Sequence, residues 1–329
     1  MGNAPAKHSK KHKTAINLNN SSPDVQIQAF FRDNERFADL FNSCLFKGER
    51  FVRPEQLREL DTNVSASILS EKFQATLKRT RDVVKFSGDG TCYRILGMEH
   101  QQHIHYAMPL RTMIYDSLSY LRQAEEISRR NHREKAWGDR DEFLSGLKKD
   151  DRLIPCYTAV LYWGEKEWDG PWTLADMMDF GSPGKPLYFQ SYAPACLVCA
   201  NGLTEYPFQN RDVSQLFQLI HKLYQSGRRN MPETFKNVSL ETAYTAAVIT
   251  GTKARLQKTF KNAAEQGKEW IDMWEVLKKE LEEERAEGQI EMAEEMLKDG
   301  MNPEKVRRYA AKLSDQQWNK LLEQFQVPI

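Results

Sequence analysis

The feature that most constrains the fold is a pair of β-rich segments on either side of an Asp-Gly turn sequence. An Asp-Gly pair between alternating apolar residues predicts a β-hairpin, here with Asp89 and Gly90 as a two-residue loop. With that loop, Asp82 lies opposite Gly97, and Glu99 is its diagonal neighbour on the same face of the hairpin. Two acidic side chains are therefore expected to converge on one point.

The prediction depends on a loop with an even number of residues. Glu99 and Gln101 share a face because side chains two positions apart on a strand point the same way. A four-residue loop over residues 87–90 preserves this relation, whereas a three-residue loop places Asp82 on the other face. Lys85 has an odd offset from Asp82, so it is expected on the opposite face and is given no catalytic role.

Two carboxylates and one amide suit a hard divalent cation such as Mg2+, for which Mn2+ is the expected substitute. Mg2+ retains several waters, so Asp82 and Glu99 leave room for a phosphate and a nucleophilic water. The ion lowers the pKa of its water and offsets negative charge that develops on the phosphoryl oxygens. Gln101 is expected to orient the water or the phosphate. The structural alternative is a solvated polar end of the hairpin.

Several longer sequence blocks occur in a recognisable order from about Val25 to the C-terminal tail. They include Leu40-Phe41-Asn42, Arg81-Asp82-Val83-Val84, Glu99-His100-Gln101, Met108-Pro109-Leu110-Arg111 and Trp168-Asp169-Gly170-Pro171. In this order the chain resembles the recombination-promoting nuclease / putative transposase family, which belongs to the PD-(D/E)XK nuclease superfamily.

The resemblance implies a restriction-endonuclease-like α/β core, with a central mixed sheet of about four or five strands flanked by helices. It also implies Mg2+-dependent cleavage of DNA, with a link to recombination or transposition. Asp82 and Glu99 would hold the metal, and Gln101 takes the position where the superfamily usually has lysine. Because an acidic residue of the first helix often joins such sites, Asp39 is a further expected metal ligand, and Glu35 is its alternative.

A helix is predicted from about Pro109 to Ile127, with the proline in its first turn. Arg111 and Tyr115 fall near one face of it, so they are expected to bind substrate, with Arg111 meeting a phosphate near the metal. Packing and surface pairing are the structural alternative. A basic group at the end of this helix is interpreted as a solvated surface, with a DNA-facing patch as the alternative: Arg129, Arg130, Arg133 and Lys135.

The composition indicates a globular protein large enough for one or two domains, with 329 residues of which 40% are hydrophobic. The formal net charge is +1, so contact with DNA must come from local basic patches. No apolar run approaches the roughly 20 residues that cross a bilayer, and the N-terminus lacks the apolar core of a signal peptide. These features predict a cytoplasmic protein with no membrane partner. Five scattered cysteines indicate free thiols.

Three regions are predicted along the chain. Residues 1–23 are rich in lysine and polar residues and are expected to form a disordered basic tail. Residues 24–264 form the nuclease-like domain.

Residues 265–329 form a helical tail. The 4-3-4 spacing of Trp270, Trp274, Leu277 and Leu281 predicts a long helix with a narrow apolar seam. Asn302-Pro303 predicts a cap followed by a first-turn proline, and Ser314-x-x-Gln317 predicts a capping box, so two short helices should close the chain. Their apolar faces need a partner, either the core or another copy of the chain, so self-association or regulation is expected there. The tail resembles a helix-turn-helix, but its recognition surface is not basic, which disfavours DNA reading.

Other patterns favour structural roles. Residues 25–44 predict one amphipathic helix and residues 153–163 a buried strand. Three tryptophans, at 163, 168 and 172, are expected to cap the core, with base stacking as the alternative. Cys196-Leu197-Val198-Cys199 lacks the further ligands of a zinc site and is interpreted as a buried strand. The histidines at 100, 103 and 105 do not follow a known transition-metal pattern.

The leading functional hypothesis is therefore a metal-dependent endonuclease. The competing hypothesis is a DNA- or protein-binding module that keeps the nuclease scaffold without turnover and acts through its helical tail. The two differ in what the metal does, because an enzyme needs it for turnover whereas a binding module holds its partner after chelation. A transposition factor that cuts only together with other proteins is a third reading.

Overall fold

A computed structural model describes residues 22–59, 82–88, 93–135, 137–182, 184, 186, 188–200, 206–224 and 233–325. The chain divides into two compact units. The first contains Met1–Ser226 and Ser239–Lys268, and the second contains Gly227–Val238 and Glu269–Ile329. Of the predicted basic tail, residues 1–21 lie outside the described residues, while Ser22 caps the first helix and Pro23 begins it.

The first unit is built on a five-stranded mixed sheet in the order β1-β2-β3-β4-β5. The strands are β1 (Leu57–Glu59), β2 (Val83–Gly88), β3 (Tyr93–Gln101), β4 (Cys156–Tyr162) and β5 (Cys196–Cys199). The first three are antiparallel neighbours, and the last two continue the sheet in parallel from β3. Helices flank this sheet, so the prediction of an α/β fold with a central mixed sheet is confirmed.

The helices of the first unit are α1 (Pro23–Arg32), α2 (Asn34–Leu45), α3 (Met108–Glu134), α4 (Arg140–Ser145), α5 (Arg211–Tyr224), α6 (Leu240–Ile249) and α7 (Lys253–Glu265). Short 3-10 turns lie at Pro54–Gln56 and Leu174–Met177. The predicted strand over residues 153–163 is confirmed as β4. The predicted helix from Pro109 is confirmed as α3, although it continues seven residues beyond Ile127 to Glu134.

The prediction of one continuous helix over residues 25–44 is wrong, because the chain breaks at Asp33. This residue has an extended backbone, and its carboxylate accepts the N–H groups of Glu35 and Arg36 at 3.0 Å each. Asp33 is therefore the N-cap of α2, which satisfies donors that a new helix start leaves free. The segment therefore forms two helices, α1 and α2, rather than one continuous amphipathic helix.

An ion-pair network ties three helices of this unit together. Arg36 of α2 contacts Asp212 of α5 and Glu241 of α6, each at 2.7 Å. Burial lowers the pKa of Arg36, but the two carboxylates more than offset this effect, so its pKa is raised and the guanidinium stays charged. The network holds α2 against the other two helices while Leu240–Ile249 packs almost entirely out of solvent.

Lys85 lies on the face of β2 opposite the acidic residues, as the strand alternation predicts. Its side chain is 0% exposed, and its Nζ donates to the carbonyl oxygen of Arg32 at 2.5 Å and to Oδ1 of Asn34 at 2.7 Å. Burial lowers its pKa from the usual 10.5 to about 8. Lys85 therefore braces the α1–α2 junction against the sheet.

We expect the free energy of unfolding to rise between pH 8 and pH 10.5 by about 3 kcal/mol on account of Lys85. Below pH 8 Lys85 is charged in both states, so the cost of burying its charge is constant. Between the two values the unfolded chain binds the proton and the folded chain releases it, so stability rises with pH. Urea unfolding of the wild type and Lys85→Met at pH 7.5, 9 and 10.5 measures this.

The free energy of unfolding of Lys85→Met should lack the contribution that Lys85 makes to the rise between pH 8 and pH 10.5. The exposed Lys258→Met is the matched control, and its curve should run parallel to that of the wild type. If the unfolding free energies of Lys85→Met and the wild type changed in parallel across this pH range, a lowered pKa of Lys85 would not be the cause of the rise.

The second unit contains α8 (Met273–Lys298), α9 (Pro303–Tyr309), α10 (Asp315–Gln324), the 3-10 turn Glu233–Lys236 and the strand β7 (Trp270–Ile271), which pairs with β6 (Val238–Ser239). The helix starts agree with the predicted caps. Asn302 caps α9 before Pro303, and Ser314 and Gln317 form a capping box at the start of α10.

Two predictions for this unit change. Trp270 is not part of the long helix, because it lies in β7 and Asp272 caps the helix by accepting the N–H of Glu275. The apolar faces of the two short helices also find a partner within the unit. Ala293 of α8, Val306 of α9, and Trp318 and Leu321 of α10 share one buried cluster. These faces therefore supply no physical reason for self-association.

None of the helices within the described residues is both long and apolar enough to cross a membrane.

Candidate functional site

The register of the β2–β3 hairpin determines where the predicted acidic residues lie. Gly88 pairs with Tyr93 and Val83 with Met98, so four residues, 89–92, connect the paired strand ends. The predicted two-residue loop, with Gly88 opposite Thr91, is therefore wrong. Register follows the pairing of whole strand faces, and two additional loop residues cost little entropy. The even number is kept, and one residue beyond the Val83–Met98 pair the register brings Asp82 opposite Glu99 rather than opposite Gly97.

Asp82 is held by the neighbouring strand and by the first helix. Its Oδ2 accepts the backbone N–H of His100 at 2.8 Å, and its Oδ1 accepts Nε2 of Gln28 at 3.0 Å. Burial raises the pKa of Asp82 to about 6, although these two hydrogen bonds and the charge of Arg111 lower it. The carboxylate is thus fixed in orientation, partly desolvated and close to a cation.

Glu99 lies in the interior, with 1% of its side chain exposed. Its Oε1 accepts Nε2 of Gln101 at 3.2 Å and forms an ion pair with Nη2 of Arg111. Glu99 and Gln101 therefore share one face of β3, as the alternation predicts. The amide of Gln101 orients this carboxylate directly.

Arg111 and Tyr115 are one helical turn apart on α3 and face these acids. Nε of Arg111 donates to the hydroxyl of Tyr115 at 3.0 Å, and the guanidinium carbon lies 5.7 Å from the centre of the tyrosine ring. Burial lowers the pKa of Arg111, but Glu99, Tyr115 and Asp82 more than offset this, so its pKa is raised. The guanidinium therefore remains charged beside both carboxylates.

Four residues at this site escaped the sequence prediction: Asp24, Gln28, His100 and Trp163. Asp24 and Gln28 are i and i+4 on α1, so they share a face. The ring of His100 lies 3.3 Å from Asp82 through Nε2 and 3.4 Å from Asp24 through Nδ1. Burial lowers the His100 pKa to about 3, so the imidazole is neutral. The i, i+4 polar pair was the available signal, but many exposed helix faces carry such pairs.

The ring of His100 packs on Trp163, the residue after β4. Their centroids are 4.6 Å apart, and Trp163 is 0% exposed. The backbone N–H of Trp163 donates to the carbonyl oxygen of Gln101 at 3.1 Å, while its carbonyl oxygen accepts the hydroxyl of Tyr224. Trp163 thus supports the end of β3 that carries Glu99 and the backbone N–H that binds Asp82.

The other two tryptophans differ from Trp163. Trp168 packs edge-on against Tyr162 at 5.2 Å, but Trp172 is 53% exposed. The prediction that all three tryptophans cap the core is therefore wrong for Trp172. This residue lies in a loop, where about half of its surface is exposed to solvent.

Asp39 is in a different environment from Asp82 and Glu99. It lies on α2, where its Oδ1 accepts the backbone N–H of Gln209 at 2.9 Å, and burial raises its pKa. With the exposed Glu35 it lines a separate cavity of about 750 Å³. Because the chain breaks at Asp33, Asp39 lies on a different helix from Gln28, which contacts Asp82.

Within the described part of the chain, no group of three or more His, Cys, Asp or Glu side chains is arranged to hold a metal ion. The histidines at 100, 103 and 105 therefore form no such group, and Asp39 forms none with Asp82 and Glu99. The cysteines that the structure describes are free thiols: Cys44, Cys156, Cys196 and Cys199. The Cys196–Cys199 segment is strand β5, so the predicted strand is confirmed, but of its four residues only Val198 is buried.

The basic group at the end of α3 is exposed but partly paired. Arg129 contacts Glu125 at 3.0 Å, and Arg130 contacts Asp151 at 3.1 Å. Phosphate groups at this surface would have to compete with those carboxylates, although exposed pairs of this kind are weak.

Comparison of this chain with protein-family models, with curated proteins and with solved structures gives no match.

Proposed function

We propose that this protein is a metal-dependent DNA endonuclease with a restriction-endonuclease-like core, acting in recombination or transposition. The observation that carries the proposal is the meeting of Asp82, Glu99 and Arg111 at one end of the β2–β3 hairpin. A carboxylate pair beside a cation, with Glu99 buried and Asp82 partly buried, suits hydrolysis of a phosphodiester better than it suits packing, because burying charge is costly unless it is used or paired.

The donor set fits Mg2+, or Mn2+ in its place. Asp82 and Glu99 supply hard carboxylate oxygens, and Mg2+ is commonly bound by one or two carboxylates with waters completing the shell. When bound, the ion supplies an activated water and charge stabilisation at the phosphoryl group. Gln101 contributes an amide, which orients Glu99 through the 3.2 Å bond.

The other residues of the site hold and complement these acids. Gln28 and the backbone N–H of His100 fix both oxygens of Asp82, so we assign them as positioning groups. Arg111 is the group suited to bind a phosphate oxygen, because a guanidinium matches phosphate geometry. Tyr115 holds Nε of Arg111 and thereby sets the direction of the guanidinium.

Strand topology further supports the restriction-endonuclease-like core. An antiparallel β1-β2-β3 unit carries the acids, and parallel strands β4 and β5 extend the sheet. Helix α3 follows β3 and returns the chain so that β4 runs parallel to it, which is the crossover that parallel pairing requires.

We expect the purified protein to nick or linearise supercoiled plasmid in Mg2+ or Mn2+ and to stop when EDTA is added. Asp82→Asn should lose this activity, because the amide keeps the shape of the carboxylate but not its charge. Agarose gels over a metal titration measure both effects.

The exposed Asp141→Asn is the matched control and should cut like the wild type. A folded wild-type protein that retains DNA in EDTA but never cuts it would instead favour the binding module. Cleavage that survives in Asp82→Asn would remove this residue from the site.

A further inference from the structure

We propose that Arg111 is a resident counter-cation that occupies the acidic pair until a divalent metal displaces it toward the phosphate. This inference deepens the proposed function and rests on its metal site. It assigns Arg111 two successive partners, which are Glu99 before metal binds and a phosphate oxygen afterwards.

Arg111 offsets the negative charge of the site. Glu99 is almost fully buried and forms an ion pair with Arg111, and the same guanidinium is close enough to Asp82 to act on its charge. A carboxylate as buried as Glu99 is costly to keep charged unless a cation lies beside it. Arg111 supplies that cation to Glu99, and its charge also lowers the pKa of Asp82, so it offsets the charge of both acids before metal binds.

Glu99 has partners before a metal ion binds. Its Oε1 already contacts both Gln101 and Arg111. A divalent ion that binds this oxygen must therefore compete with the guanidinium for the same electron pairs. Metal affinity without DNA should be weakened by the cost of moving Arg111.

Once displaced from Glu99, the Arg111 guanidinium can remain near the site. The Arg111 side chain is 16% exposed, and its Nε donates to Tyr115. Because the guanidinium is a planar unit, moving Nη2 away from Glu99 takes a change of the side-chain torsions that also breaks the bond to Tyr115. A phosphate bound to the metal offers the released guanidinium a charge-assisted, bidentate partner. Metal and DNA should then bind with positive coupling, because each favours the displaced arrangement of Arg111.

The test measures binding of Mn2+ to DNA-free protein by the loss of the free-ion EPR signal. Arg111→Gln should bind Mn2+ about 10-fold more tightly than the wild type, within the range usual for coupled sites. Adding Glu99→Gln to this variant should abolish the gain. The exposed Arg122→Gln, on the same helix, is the matched control and should bind like the wild type.

Tyr115→Phe provides a second variant that keeps the charge of the site. Loss of the hydroxyl loosens the guanidinium, so Mn2+ should bind more tightly than in the wild type by a smaller factor. This variant decides the question if Arg111→Gln does not fold, as judged by near-UV circular dichroism. Equal or weaker Mn2+ binding by the folded variants would overturn the role of Arg111.

The two proposals fail in different ways. Tighter Mn2+ binding by the variants, together with a wild-type protein that never cuts DNA, would support the counter-cation role of Arg111 and contradict only the proposed nuclease activity. If the variants bound Mn2+ with the affinity of the wild type and the wild type cut DNA, only the counter-cation role of Arg111 would be contradicted. No Mn2+ binding by any variant, together with no cleavage of DNA by the wild type, would overturn both.

Discussion

Glu99→Gln is expected to lower the metal-dependent cleavage rate by more than about 100-fold. Loss of a group that merely supports a metal ligand commonly costs about 10- to 100-fold, and Glu99 is proposed as a ligand itself. The amide has the size of the carboxylate but no charge, so it removes both the metal ligand and the partner of Arg111. Initial rates on supercoiled plasmid at saturating Mn2+ measure the loss.

Glu126→Gln is the matched control for this prediction. Glu126 lies on the exposed face of α3, where it pairs with Arg122 at 3.1 Å, and its replacement should leave cleavage unchanged. Near-UV circular dichroism of both variants separates a loss of activity from a loss of folding. Cleavage at the wild-type rate by Glu99→Gln would show that the chemistry takes place elsewhere.

Trp163→Ala is expected to lower the free energy of unfolding by about 3–5 kcal/mol, as other buried aromatic truncations do. The indole is 0% exposed and packs on the ring of His100, so the substitution leaves a cavity behind the end of β3. Cleavage should fall as well, because the backbone N–H of His100 orients Asp82. Urea unfolding followed by circular dichroism measures the change in stability.

Trp172→Ala carries the same substitution at an exposed position of the same unit. With 53% of Trp172 in solvent, the change should stay within about 0.5 kcal/mol of the wild type. A small effect at Trp163, comparable with that at Trp172, would mean that the site does not depend on the packing of His100.

Local patterns in the sequence were sufficient for several elements of this fold, although not for the break at Asp33. Alternation along the two hairpin strands placed Glu99 and Gln101 on one face and Lys85 on the other. Capping residues predicted the starts of the C-terminal helices at Pro303 and Asp315. These features follow from the sequence because strand alternation and helix caps involve residues only a few positions apart.

The hairpin loop shows where local rules stop. The Asp-Gly pair favours a tight turn, yet Gly88 pairs with Tyr93 rather than with Thr91, so four residues rather than two connect the strands. Pairing of the whole strand faces outweighs the preference of one dipeptide, since each face is fixed by its burial. Only the even parity of the connection was needed for the acids to share a side.

The sequence by itself determined which residue types stand on the two faces of the hairpin, and with them the acidic pair. Only the tertiary structure decided what meets that pair: Gln28 of α1 rather than Asp39 of α2, and Arg111 of α3 as its ion-pair partner. The break at Asp33 and the packing of α3 on β4 set these contacts. They join residues far apart in the chain, whose approach depends on the packing of whole elements rather than on any local pattern.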